Sequence, residues 1–408
     1  MRQIFVLLLL LLAFRCTKVE GTYAIVCEFP PGFGVTTTLV MTDAEGNIIE
    51  AFDIPDGASS FSQSFSVSEK GELPERYDLH LVRYDSDDLS SHAINIFSHL
   101  DVPNGSGVYF AHISSDANFF YRYFNVKVSG IESFDTLQTI EYYGVYNIQF
   151  SDAKKEVEGL VAARRNHDLV LKIRANGDSE FKFLYIPDSL LRDSMELAWE
   201  DFKPENNFKN LQFPNFQQIS FLEVSAVAPD LQHGVVLFQS GLSYNGLLQM
   251  NQPFLYPEGV PDPASYFVRV NQGSSYFQKI FAPDEPLVVD PPEIKIKSAG
   301  NPGGRLTVQT EGDIDLIRAV SFKFEQPNRS IFWQIDGAPQ SFKDRKLPSF
   351  KNYLPATADP SGMFSQGQVH AYQFGKYNYD QVRSGFPFKL SNPFEVAEGG
   401  HLRTWKDY

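Results

Sequence analysis

Polar and apolar residues alternate along most of the chain after residue 22. Tyr77, Leu79 and Leu81, for example, share one side of their segment, and Asp78 and His80 share the other. A period of two places successive side chains on opposite faces of a sheet, as in a half-buried strand. Helical spacing is scarce, and the 28 glycines and 25 prolines are frequent enough to separate many short strands. We therefore predict an all-β protein.

The register of one predicted hairpin can be read around Asn176-Gly177. A two-residue loop would pair apolar with polar positions, whereas a three-residue loop keeps apolar positions together. We therefore predict the three-residue loop, with the pairs Ile173–Phe181, Leu171–Phe183 and Leu169–Tyr185.

Residues 188–202 fit two structures. Met195, Leu197 and Trp199 alternate as in a strand, whereas Leu191, Met195 and Ala198 have the spacing of a short helix. The sequence leaves both alternatives open.

Turn-forming residues predict where the chain divides into domains. They cluster at 102–107 and 114–118, and a proline-rich stretch at 282–304 is typical of a stiff connector. We expect two to three β-sandwich domains in tandem, immunoglobulin-like or transthyretin-like, over residues 22–118, 119–290 and 291–408.

The N-terminus has the pattern of an export signal. Arg2 precedes an apolar run from Ile4 to Phe14. That run is shorter than the about 20 residues that a membrane-spanning helix needs. A positive start, a short apolar segment and a polar sequence after it are typical of a cleaved signal peptide, which we assign to residues 1–15.

The end of the apolar run, Leu11-Leu12-Ala13-Phe14-Arg15-Cys16, resembles the lipobox of bacterial lipoproteins. This resemblance implies that Cys16 is acylated and becomes the first residue of a protein anchored by lipid to the outer membrane of the cell envelope. The alternative is ordinary signal-peptidase cleavage after Val19-Glu20-Gly21, which would give a soluble periplasmic or secreted protein.

The first predicted domain carries a second resemblance. The turn Thr42-Asp43-Ala44-Glu45-Gly46-Asn47 is followed by a serine-rich strand and then by Tyr77-Asp78-Leu79-His80-Leu81. This order is similar to that of carboxypeptidase-regulatory or transthyretin-like β-sandwiches. The resemblance implies a structural or spacer role for this part of the chain.

Charge and cysteine content narrow the function classes. A formal net charge of −15 disfavours a nucleic-acid partner, because phosphate contacts need clustered Lys and Arg. With two cysteines the chain cannot build a disulfide framework. Cys27 alternates with Tyr23, Ile25 and Phe29, so we expect it to be a small buried hydrophobic residue.

The sequence lacks the motifs HExxH, GxSxG, GxGxxG and the Walker loop, and its eight histidines are dispersed. We therefore expect a non-enzymatic envelope lipoprotein, without cofactor or metal, that is a binding or structural module for glycan or protein. The alternative is a secreted or anchored glycan hydrolase, which would use two carboxylates.

Aromatic residues in the last predicted domain are the candidate ligand-binding residues. Their rings could stack on sugar rings, or they could be ordinary core and cross-strand residues of a sandwich. The candidates are Trp333, Tyr372, Tyr377, Tyr379 and Trp405.

Overall fold

The computed structural model describes most of the chain after residue 18. The described residues are 19–29, 35–69, 75–85, 93–110, 121–140, 144–164, 167–204, 207–215, 219–229, 234–240, 251–256, 260, 262–290, 293–326, 329–356, 358, 360, 362–375, 377–384 and 401–408. Strands dominate these residues and form several sheets, which confirms the predicted all-β class with sandwich packing. The predicted signal peptide, residues 1–15, and Cys16 lie outside the described residues.

Seven strands surround the first core. They are β1 (Val19–Glu28), β2 (Val35–Thr42), β3 (Ile48–Ile54), β4 (Ser60–Glu69), β5 (Arg76–Asp85), β6 (Ala93–Pro103) and β7 (Gly107–Tyr109). Strands β4, β1 and β7 form one sheet, and β3, β2, β5 and β6 are one end of a much longer sheet. The first core lies between the two sheets, where Ile25 on β1 packs in the same cluster as Leu39 on β2 and Leu79 on β5.

The turn predicted at 42–47 connects β2 and β3. The Asp43 carboxylate accepts the backbone N–H groups of Glu45 and Asn47 at 2.9 and 2.8 Å. Gly46 has φ +74°, a conformation that glycine adopts readily. A Cβ at Gly46 would lie 3.1 Å from the backbone nitrogen of Pro348, so the turn also needs glycine where it packs against the later part of the chain.

Eight strands surround the second core. They are β8 (Tyr121–Ser129), β9 (Thr136–Thr139), β10 (Val145–Ser151), β11 (Glu156–Arg164), β12 (His167–Arg174), β13 (Lys182–Ile186), β14 (Ser194–Ala198) and β15 (Lys203–Pro204). Strands β10, β11, β8 and β14 form a separate sheet, while β15, β13 and β12 belong to the long sheet, with β9 paired to β12. The ambiguous segment is therefore a strand, β14, followed by a short 3-10 turn at Trp199–Asp201.

The predicted register of the β12–β13 hairpin is wrong. Leu171 pairs with Leu184 and Leu169 pairs with Ile186, so the connection is longer than three residues. The prediction assumed one apolar face, but both faces of this hairpin are buried. Leu171 and Leu184 pack into the second core, whereas Val170 packs into a third core on the other face.

The third core is surrounded by six further strands. They are β16 (Phe208–Gln212), β17 (Phe221–Val227), β18 (Gly234–Ser240), β19 (Asn251–Leu255), β20 (Ser265–Gln272) and β21 (Ser275–Phe281). Strands β18, β17, β20 and β21 continue the long sheet, and β16 pairs with β19 in a two-stranded sheet. Leu222 on β17 and Phe254 on β19 belong to the same buried cluster.

The remaining strands surround the fourth core. They are β22 (Lys295–Gly300), β23 (Arg305–Glu311), β24 (Leu316–Gln326), β25 (Arg329–Gly337), β26 (Arg345–Lys346), β27 (Gln368–Phe374) and β28 (His401–Asp407), with a short helix α1 (Tyr379–Arg383) before β28. Strands β22, β23 and β26 form a small sheet, and β28, β27, β24 and β25 belong to the long sheet.

The long sheet connects all four cores. Its order is β15-β13-β12-β18-β17-β20-β21-β28-β27-β24-β25-β6-β5-β2-β3. Strand β28 lies between β21 and β27, and β25 pairs in parallel with β6 from Ser330–Ala93 to Asp336–His99. On β5, Leu81 belongs to the first core and its neighbour Val82 to the fourth, so this part of the sheet is buried on both faces. The division into 22–118, 119–290 and 291–408 stays a prediction.

A buried ion pair joins β24 and β25. Arg318 and Asp336 are directly opposite in the hairpin, and two of their N–O distances are 2.7 Å. Their side chains are only 5% and 4% exposed. Gln334 also donates to the Asp336 carboxylate, at 3.1 Å.

We expect Asp336→Leu to lower the free energy of unfolding by about 3–5 kcal/mol, because it leaves the Arg318 charge buried without its carboxylate. The double variant Arg318→Met/Asp336→Leu removes both charges and should recover most of that loss. Urea denaturation of the wild type and both variants measures this. A double variant no more stable than Asp336→Leu would contradict the explanation.

Candidate functional site

A cavity of about 710 Å³ lies beside the fourth core. Its lining comes from β25, from the 3-10 turn Pro302–Gly304 with the preceding Asn301, and from the segment between β26 and β27. Described lining residues are Asn301, Gly304, Trp333, Leu347, Pro348, Ser349, Lys351, Ala356, Ala358, Pro360, Gly362 and Met363. A concave, mainly apolar site of this size with a few polar groups is typical of ligand-binding cavities.

Among the described residues, Trp333 is the only candidate ligand-binding residue that lines this cavity. It is 3% exposed, and its ring makes edge contacts with Phe350 and Phe364 at 5.1 and 5.2 Å between centroids. Its indole N–H donates to the Ser98 hydroxyl at 2.9 Å. Trp333 therefore forms a fixed part of the cavity wall.

The hydrogen bond from Trp333 leads into a buried polar chain. The Ser98 hydroxyl lies 2.7 Å from His80 Nδ1, and the Thr42 hydroxyl lies 3.0 Å from His80 Nε2. Burial lowers the pKa of His80 to about 3. His80 is therefore a neutral imidazole at neutral pH, and its role here is to hold Ser98 and Trp333 in place.

The polar groups of the cavity lie mainly at its rim. Lys351 and Ser349 are exposed, and the Asn301 amide donates to the Met363 carbonyl at 3.2 Å. The rim thus presents ammonium and hydroxyl groups to a ligand, on a chain with a net charge of −15.

The other candidate residues do not form an exposed aromatic surface. Tyr372, Tyr377 and Tyr379 are 6%, 8% and 7% exposed and belong to one buried cluster near α1. The Tyr379 hydroxyl donates within the interior, to the carbonyls of Leu100 and Asp336 at 3.1 and 3.2 Å. These three rings are therefore core residues, one of the two alternatives that the sequence left open.

Trp405 lies on β28, where its backbone pairs with His370. Its side chain is outside the described part of the structure.

Asn301, Ser349 and Lys351 carry no motif that marks them as site residues in the sequence. The long segment between β26 and β27 did carry a sign of a binding site in its sequence. Its turn-forming residues, Pro348, Pro355, Pro360 and Gly362, prevent regular structure. Long irregular connections in compact proteins often carry binding sites.

Acidic residues near the fourth core form a structural ion-pair network. Asp78 and Asp101 both bind Arg345, at 3.2 and 2.7 Å, and Asp78 also accepts the backbone N–H of Asp101 at 2.9 Å. This network joins β5 and β6 to β26. Burial raises the pKa of Asp78 to about 7, although Arg345 favours its ionised form.

Cys27 is 1% exposed, and burial raises the pKa of its thiol to about 12. This confirms the predicted buried hydrophobic role. Within the described ranges, no group of three His, Cys, Asp or Glu side chains is placed to hold a metal ion. In the same residues, none of the helices has the length and hydrophobicity needed to cross a bilayer.

Comparison with known proteins gives no assignment. No family model matches this chain, and no curated protein matches it.

The buried histidines and Asp78 should change the stability of the fold with pH in opposite directions. Burial lowers the pKa of His80 to about 3 and that of His99 to about 4, so the folded protein binds fewer protons than the unfolded chain. These histidines therefore lower stability as the pH falls below their unfolded pKa of about 6.5. Asp78 acts in the opposite direction, because its raised pKa makes the folded protein hold an extra proton between about pH 4 and 7.

We expect Asp78→Asn to remove the contribution of Asp78 to the pH dependence of stability and to leave that of the two histidines unchanged. Arg345 keeps Asp101 as a partner, so the stability of this variant relative to wild type should rise between pH 5 and 7, by up to about 1.4 kcal/mol per pH unit. Urea denaturation across this range is the measurement, with the exposed Asp344→Asn as control. A relative stability that stays constant across this range would show that Arg345 keeps Asp78 ionised.

Proposed function

We propose that this chain is a non-enzymatic lipoprotein of the cell envelope, anchored to the outer membrane through Cys16, that acts as a rigid binding module for glycan or protein. The continuous sheet that joins the four cores is the observation that carries this proposal. Because neighbouring cores share strands, the surfaces and cavities of the molecule are held at fixed positions. Fixed spacing is what a structural or binding module at a membrane needs.

The chemistry of the cavity supports binding of a glycan fragment. Trp333, although only 3% exposed, forms a fixed part of the apolar wall, while Ser349, Asn301 and Lys351 would provide hydrogen-bonding groups to a sugar. Lys351 would also favour a glycan that carries carboxylates, as peptidoglycan fragments do. The buried charged groups nearby, such as Asp78 and Arg345, are bound to each other and support the fold.

The N-terminal sequence supports the anchor. Several acyl chains on Cys16 would hold the protein firmly, because each buried methylene contributes about 0.8 kcal/mol and stable attachment takes more than one chain. With a net charge of −15, the protein would gain no attraction to anionic lipid, so attachment would depend on the acyl chains.

Cys16→Ser is expected to release the protein from the membrane fraction. Fractionation of cells expressing the wild type or the variant, together with metabolic labelling by a fatty-acid analogue, measures this. Cys27→Ser is the matched control, since Cys27 is buried and should leave both attachment and labelling unchanged. Finding wild-type protein unlabelled in the soluble fraction would overturn the anchor.

Ser349→Trp is expected to fill the cavity entrance and weaken binding of soluble peptidoglycan fragments by at least about tenfold, which corresponds to about 1.4 kcal/mol. Isothermal titration calorimetry measures the affinity. Ser62→Trp, on the exposed part of β4, is the control for an added surface tryptophan. Equal affinities of the wild type and Ser349→Trp would mean that glycan does not bind in this cavity.

A further inference from the structure

Among the residues that the structure describes, the second core is open along one side. Strand β14 is the last strand of its sheet, and β15, which pairs with β13, is the last strand of the long sheet. A crevice of about 360 Å³ lies between these two sheet edges. Its lining includes Leu184, Leu190, Met195, Leu197, Asp201 and Lys203.

The floor of the crevice is the apolar interior of the sandwich. Leu184 on β13 and Met195 and Leu197 on β14 are only partly buried, and all three pack against the second core. Leu190, at the lip, is 57% exposed. The two sheets thus leave apolar side chains accessible to a further segment that could complete the packing.

The backbone of β14 is oriented to pair with one more strand. β14 runs parallel to β8, and the Asn125 N–H donates to the Asp193 carbonyl at 2.9 Å. In a parallel pair, alternate residues direct both backbone groups to the same neighbour. Asp193, Met195 and Leu197 therefore bond towards β8.

Ser194, Glu196 and Ala198 consequently direct their backbone groups away from β8. The Ala198 N–H confirms this direction, since it donates outward to the Asp201 carboxylate at 2.8 Å. The open edge of β14 thus offers backbone donors and acceptors of Ser194 and Glu196 directly beside the apolar crevice.

The charge along this edge is mainly acidic. Asp193, Glu196, Glu200 and Asp201 are exposed. The basic residues described nearby are bound within the chain itself. Lys127, opposite Glu196 on β8, forms an ion pair with Glu156 at 2.9 Å, and Lys182 lies over the Trp199 ring. Arg192 donates to the Ser189 carbonyl and Lys203 to the Glu200 carbonyl, both at 2.7 Å.

We propose that β14 and the crevice bind an extended segment of a partner protein, with alternating apolar and basic residues, by strand addition. The partner backbone would pair with Ser194 and Glu196, its apolar side chains would enter the crevice, and its basic side chains would face the acidic edge. Backbone pairing with pockets for alternate side chains is the general mode of β-strand addition. The acidic side chains along the edge favour a partner with basic side chains over one with acidic side chains.

Charge also disfavours a second copy of this chain as the occupant. Two copies of β14 pairing with each other would bring Glu196 and Asp193 of one chain close to the same carboxylates of the other, and like charges opposite each other destabilise a sheet. The proposal rests on the proposed function only in taking a protein as partner. It uses neither the lipid anchor nor the Trp333 cavity.

Synthetic peptides test the proposal on the full-length protein. The probe is a fluorescent seven-residue peptide of alternating valine and lysine, measured by fluorescence anisotropy. We expect it to bind at least about tenfold more tightly than a valine–glutamate peptide of the same length. The same valine–lysine peptide with alternate amides N-methylated along one edge should lose binding. Equal binding of the methylated peptide would overturn strand addition, because the peptide would be held by charge alone.

Variants locate the site. Leu190→Asp should weaken binding of the valine–lysine peptide at least about tenfold, while Phe324→Asp, at a side chain that is 75% exposed elsewhere on the surface, should not. Glu196→Lys should reverse the preference between the two peptides. An unchanged affinity in Leu190→Asp or an unchanged preference in Glu196→Lys would overturn the proposal.

Two further measurements control for misfolding and for self-association. Circular dichroism of each variant verifies that the sheets remain folded. Light scattering tests for self-association, and a dimer that is lost in Leu190→Asp would assign the edge to a second copy and overturn the proposal. Because the peptides probe β14 alone, loss of the anchor or of glycan binding in the preceding experiments would leave this result unaffected.

Discussion

Backbone pairing between distant parts of the chain is the interaction on which the architecture depends. The parallel contact of β25 with β6 joins the first and fourth cores, and β28 joins the third and fourth by pairing with both β21 and β27. These contacts turn separate sandwiches into one long sheet covered by smaller sheets. The strands at the junctions are then buried on both faces, as β5 shows with Leu81 and Val82.

Burial on two faces explains how far the sequence could predict the fold. Alternation was sufficient to identify strands such as β4, β5 and β12, and turn chemistry located the loop between β2 and β3 correctly. The same reasoning failed for the register of β12 and β13, because it assigned one apolar face to a hairpin that has two. Tyr185, Leu184 and Val170 are all apolar positions of that hairpin, and only the positions of neighbouring sheets decide which register buries them best.

The candidate site was less predictable than the fold. Trp333 was a candidate because it is aromatic, and it does line a cavity, but the adjacent Asn301, Ser349 and Lys351 come from irregular segments that only tertiary structure brings together. Tyr372, Tyr377 and Tyr379 could not be separated from exposed rings by sequence alone, since their burial depends on where α1 packs. Local patterns specify strands, whereas cavities form where layers do not fully cover each other.

The pairing of β6 with β25 has a consequence for how the molecule acquires its structure. Ala93 must find Ser330 across more than half of the chain, and such distant contacts are slow to form because loop closure costs entropy before the contact provides any stabilisation. We expect the junction between the first and fourth cores to form late, after local hairpins. Under the export proposed above, this delay would keep the chain loosely organised for longer after synthesis, a condition suited to transport through a narrow channel.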